Sequence, residues 1–158
     1  MKRLKNLVMW LLGASLLMIG IAAGTRVQYG ARLLGVHEVP PIVTTASGTV
    51  RIGQTFGVGV MRYRIEVHNI PTVTVAHIHC APVGVNGPIG VTLYAGPPVN
   101  VDGLLISGSF SAPDPGNSCG WSSLNDVANA IVSGNAYVNV HTTAHPPGEI
   151  RGQLQIGP

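Results

Sequence analysis

Met61-Arg62-Tyr63-Arg64-Ile65-Glu66-Val67 alternates apolar and polar residues without a break. Successive side chains of a strand point to opposite faces, so this stretch reads as a strand with one buried and one wet face. Near the C-terminus, Ile150, Gly152, Leu154 and Ile156 repeat the pattern against Glu149, Arg151, Gln153 and Gln155. Working outward, strand candidates recur at 31–39, 46–52, 58–67, 72–79, 88–94, 104–111, 136–142 and 149–156. Turn clusters such as Asn69-Ile70-Pro71, Asn86-Gly87-Pro88 and Ala95-Gly96-Pro97-Pro98 separate them. With 21 Gly, 12 Pro and 9% charged residues, the chain has no room for long interior helices. The expectation is an all-β fold, an antiparallel Greek-key-like β-sandwich of about eight strands.

One segment departs from this period. Ser123-Leu124-Asn125-Asp126 has the form of a capping box, and Leu124, Val127, Ala128 and Ile131 then recur at helical spacing before Gly134. A single short helix is expected there, in a structural role.

The N-terminus reads differently. Met1-Lys2-Arg3-Leu4-Lys5 precedes an apolar run from Leu7 to Ala23 that closes on Ala22, Ala23 and Gly24. A basic segment, an apolar segment and small residues form a secretory signal, with cleavage expected after Gly24. The run also approaches the roughly 20 residues that cross a bilayer, so residues 1–24 read as a signal peptide or an uncleaved membrane anchor. The domain then occupies residues 25–158, and the protein is expected outside the cytoplasm, secreted or periplasmic. The net charge of +3 comes from Lys2, Arg3 and Lys5; the other six basic residues face six acidic ones. Balanced charge gives no indication of a basic face for nucleic acid, and membrane contact is expected only through the N-terminal segment.

Chemistry concentrates at the histidines. Ala76-His77-Ile78-His79 places two imidazoles on one strand face, and Val138-Asn139-Val140-His141-Thr142 ends a second strand with a third, with His145 close behind. Three neutral imidazoles with a variable fourth ligand, His145 or water, suit one copper or zinc ion. The same residues would equally make a buried hydrogen-bonded network, with Glu149 and Arg151 completing it. Glu149 and Arg151 share a face by spacing, which predicts a pair across solvent, with an anion site as the other reading. Glu38, before Pro40-Pro41, reads as a strand-end residue whose carboxylate meets a turn amide. Cys80 and Cys119 are the only cysteines, and an even number in an exported chain predicts a disulfide. The rival reading makes Cys80 a soft metal ligand, against which the alternation points Cys80 away from His77 and His79. No nucleophile elbow, phosphate loop or dinucleotide fingerprint is present.

Five motifs follow one another in order: Gly35-Val36-His37-Glu38-Val39-Pro40-Pro41, Ala76-His77-Ile78-His79, Asn86-Gly87-Pro88, residues Gly134 to Thr142, and Pro147-Gly148-Glu149-Ile150-Arg151-Gly152-Gln153. Together they resemble the CHRD domain, the module first described in chordin. The resemblance spans nearly the whole mature chain and implies an exported β-rich domain more than a mechanism. Cys80 stands where the family commonly has Gly, and the segment holding Cys119 looks like an insertion, which implies that the two arose together as a disulfide. His145-Pro146-Pro147-Gly148 replaces the usual Asn-Pro-Gly-Gly turn, and His37 takes a variable place. A weaker similarity is to copper/zinc superoxide dismutase, where His77, His79 and His141 would stand at the copper positions. The zinc-loop set has no counterpart between Cys80 and Leu93.

Two function classes follow. The first is a non-catalytic extracytoplasmic binding or matrix module, presenting loops such as 81–87 and 95–103 to a protein or glycan. The second is a copper protein that stores or passes the ion or performs superoxide chemistry.

Overall fold

Alternation governs the architecture. The computed structural model describes residues 24–157, so the leader read at residues 1–24 lies, but for Gly24, outside them. Among the described residues seven strands form: β1 Arg26–Leu34, β2 Ser47–Thr55, β3 Met61–His79, β4 Ile89–Phe110, β5 Tyr137–Thr142, β6 Ile150–Gln153 and β7 Gln155–Ile156. The pairings among them are all antiparallel and belong to one sheet. The all-β class with one short helix is therefore as expected.

The sheet closes on itself through β1–β2, β2–β3, β3–β5, β5–β6 and β6–β1 contacts, which makes a five-strand ring. β3 allows closure because it serves two neighbours along one edge. Its first half pairs with β2 from Met61 to His68, and its second half pairs with β5 from Val73 to His79. β4 runs along its other edge, and β7 adds to β1.

Two expected turns prove to lie inside long strands. Asn69-Ile70-Pro71 is a bend within β3, where Asn69 (φ 54°) and Thr72 (φ 53°) take left-handed backbones and the register with β4 shifts. A bulged corner of this kind turns a strand without ending it. Likewise Ala95-Gly96-Pro97-Pro98 falls within β4, opposite bulged positions of β3. The eight short strands expected thus merge into fewer, longer ones.

Inside the ring, Val50, Ile52, Met61, Ile65, Val67, Ile78, Val138, Val140, Ile150 and Leu154 are almost fully buried. Each such side chain contributes about 1.5–3 kcal/mol relative to exposure. The helix α1, Leu124–Val132, adds Val127, Ala128 and Ile131 to this core. Its capping box forms as the sequence predicts: the Asp126 amide donates to Ser123 Oγ, and the Ser123 amide donates to Asp126 Oδ2.

Candidate metal centre

The register of β3 with β5 builds the site. His77 pairs with Asn139, His79 with Tyr137, and Val75 with His141. Ala76, Ile78, Val138 and Val140 fill the barrel interior, so His77, His79, Tyr137, Asn139 and His141 occupy the outer face by alternation. That face is nevertheless buried. His77, His79 and His141 are each less than a tenth exposed, because the segments after β3 and β5 and the segment around Glu38 roof them over.

The roof holds the rings by hydrogen bonds. His79 Nδ1 donates to the Gly87 carbonyl at 2.8 Å, and His141 Nδ1 donates to the Pro146 carbonyl at 2.7 Å. Each bond assigns the proton to Nδ1 and leaves Nε2 as a bare lone pair. His79 Nε2 is buried and has no partner. His141 Nε2 lies 3.2 Å from His77 Nδ1 and 2.9 Å from Asn139 Oδ1. The latter contact sets two lone pairs against each other, which a cation between them or a reversed amide relieves.

One ligand nitrogen from each histidine lies within 4.8 Å of the others. Tetrahedral coordination at about 2.0–2.1 Å places ligand nitrogens about 3.3 Å apart, so His77 and His141 already stand at ligand spacing and His79 needs a small approach. Burial pushes the His77 pKa down to about 4, reinforced by the neighbouring His141 and His79. Burial also lowers His79 and His141, opposed in each case by the carbonyl that its ring bonds. The three rings are thus neutral near pH 7, the form that ligates a metal. Backbone carbonyls on two of them supply the outer support that fixes ring orientation in histidine metal sites.

Other expected site residues fall elsewhere. Cys80 and Cys119 form a disulfide, which removes Cys80 as a ligand. His145 stands outside the convergent group; its amide donates to Thr142 Oγ1 and its carbonyl accepts from Gly148. Glu149 and Arg151 do not pair across solvent, because both are buried under the same roof. Thr44 and Thr142 hydroxyls donate to Glu149, at 2.8 and 2.7 Å. Arg151 donates to Asn86 Oδ1 and the Val85 carbonyl, and its guanidinium lies 3.4 Å over the Tyr137 ring, on which His79 also stacks. Nor does Glu38 meet a turn amide. Its Oε1 is buried without a partner, and burial raises its pKa to about 7 against the opposing pull of Arg151.

Sequence reasoning passed over Tyr137 and Asn139, and read Glu38 only as a strand-end residue. The first two were within reach, since they share the parity of His141 in Tyr137-Val138-Asn139-Val140-His141. Gly148 also belongs to the roof: at φ 136° a Cβ there would collide with Glu38 Oε1, so only glycine lets this turn close down. The segment 81–87 caps the histidines on its inner side while residues 82–86 are exposed, and 95–103 lies within β4.

Fold and site together define a closed antiparallel β-barrel domain with a roofed three-histidine face. The family model for the CHRD domain matches residues 29–154, and the chain belongs to the CHRD domain family. No curated protein and no solved structure matches it, so the similarity to superoxide dismutase rests on motif order alone.

Proposed function

We propose that this protein is an exported, non-catalytic module of the extracytoplasmic space that holds one copper or zinc ion on His77, His79 and His141 and offers its outer surface to a protein or glycan. The carrying observation is the convergence of three neutral, buried imidazoles within 4.8 Å, two of them fixed by backbone carbonyls. An all-nitrogen set suits copper or zinc better than hard cations. The disulfide supports an oxidising compartment, as does the apolar leader. Among the described residues no helix is long and apolar enough to cross a membrane. Holding an ion fits better than turnover, because the roof covers the rings and Arg151 is committed to Asn86 and Val85 rather than to an incoming anion.

Titration of the purified metal-free protein with Cu(II) and Zn(II) tests the reading. Saturable binding near one ion per chain is expected at neutral pH, declining on acidification as the ligands protonate. The His79→Ala change should abolish it with the fold retained. Absence of saturable binding, or equal binding after all three histidines become alanine, would make the cluster a structural network. Mass analysis of the protein recovered outside the cytoplasm should place the first residue at Thr25 if the leader is cleaved.

A further inference from the structure

The charge of the domain is balanced but not mixed. Residues 24–157 contain six arginines, no lysine and six acidic residues. Five of these arginines, Arg26, Arg32, Arg51, Arg62 and Arg64, are exposed, and each has the parity opposite to the buried residues of its strand. They therefore share the outer face of β1, β2 and the first half of β3. The register puts Arg51 directly across from Arg64, with Arg32 and Arg62 on its two diagonals. Side chains directly opposite stand about 4.5–5.5 Å apart at Cβ, and like charges there are destabilising. Glu66 engages Arg64 through Nε and Nη2. Among the described residues the other four make no ion pair.

Beside this cluster lies a groove of about 850 Å3. Arg32, Arg51 and Thr49 line one wall, the segment around His37 forms another, and Gln155 contributes an amide. Its volume falls in the range of about 300–1,000 Å3 usual for ligand clefts.

We propose that this face binds an acidic polysaccharide, whose chain lies in the groove with carboxylates on Arg32 and Arg51 and continues over Arg64 and Arg62. The proposal rests on the binding-module half of the proposed function and is independent of the metal. A guanidinium presents a planar fork that matches carboxylate and sulfate groups, and a repulsive group of four becomes favourable when a polymer supplies repeated anions. The Thr49 hydroxyl across from Arg32 and the Gln155 amide on the far side of β1 match sugar hydroxyls. The groove is lined by no Phe, Tyr or Trp, and so lacks the stacking platforms that hold single-stranded nucleic acid.

The test is calorimetric titration of the purified protein with polygalacturonate in the presence of EDTA, so that failure here and failure of the metal reading remain separate. Saturable binding that weakens as salt rises is expected, with no binding to neutral dextran. The double change Arg51→Gln and Arg64→Gln should weaken binding by about tenfold or more while the unfolding midpoint holds or rises. Four results would overturn the proposal: no saturable binding, equal binding of dextran, tighter binding of single-stranded DNA or anionic vesicles, or a double variant that binds like the parent.

Discussion

The two halves of β3 obey the same alternation and meet different surroundings. From Met61 to Val67 the odd positions fill the barrel, and the even ones, Arg62, Arg64 and Glu66, reach solvent or its margin. From Ala76 to His79 the even positions fill the barrel, and His77 and His79 take the outer face, yet they are as enclosed as a core residue. Period-2 patterning determines which way a side chain points, not what lies above it. What lies above the second half is a roof of connecting segments, held by bonds from His79, His141 and Arg151 to its backbone carbonyls.

If that roof makes the difference, removing a pillar should cost far more than removing an arginine from the open half. Arg151 is 2% exposed and holds Asn86 and Val85 of the roof. Arg151→Ala removes a buried guanidinium that bonds two roof acceptors and opens a gap over Tyr137, at an expected cost of about 2–4 kcal/mol. Urea unfolding of the metal-free protein gives the value. Amide exchange in residues 83–87 should accelerate in the same variant even under conditions where the core stays protected.

The legible and illegible parts of this molecule divide along the same line. The two histidine strands, the capping box at Ser123 and the Cys80–Cys119 pair were readable, because each depends on local spacing or on counting. Glu38 reads as a strand-end group, and Glu149 and Arg151 read equally as a pair across solvent or as members of a buried network, since burial on an outer face depends on where distant loops settle. The bends at Asn69 and Thr72 carried an honest turn signal, but only the pairing partners decide whether a turn ends a strand or bends it. Balanced net charge concealed the arginine face, because a sum discards parity.

The comparison sharpens under acid. With His77 lowered to about 4, and His79 and His141 lowered as well, the unfolded chain takes up protons below about pH 6.5 before the folded one does. The histidine contribution to stability is therefore complete above that pH and is lost as pH falls toward 4. Glu38 acts in the opposite sense. Its folded pKa is raised to about 7 from 4.5, so its burial penalty is relieved as pH falls through that interval. The two effects oppose each other between about pH 6.5 and 4.5. Glu38→Gln should leave the histidine effect alone, so the urea midpoint of that variant should fall more steeply between pH 6.5 and 4.5 than that of the parent. Parallel curves would remove Glu38 from the buried network.

The smallest effect belongs to the open half. Arg64 is half exposed, and its bonds to Glu66 link neighbours on a wet strand face. Solvent screens that pair, and the side chains lose rotamer freedom in forming it. Arg64→Ala also removes the cation that faces Arg51, so a lost attraction and a relieved repulsion oppose each other. The urea midpoint of Arg64→Ala at neutral pH should coincide with that of the parent, while Arg151→Ala falls clearly below both. A large loss at Arg64 would mean that the arginine face is covered as the histidine face is, and the contrast along β3 would have no physical basis. Coincidence would establish that two arginines on outward-facing positions of one barrel differ in consequence because connecting segments cover one and leave the other open.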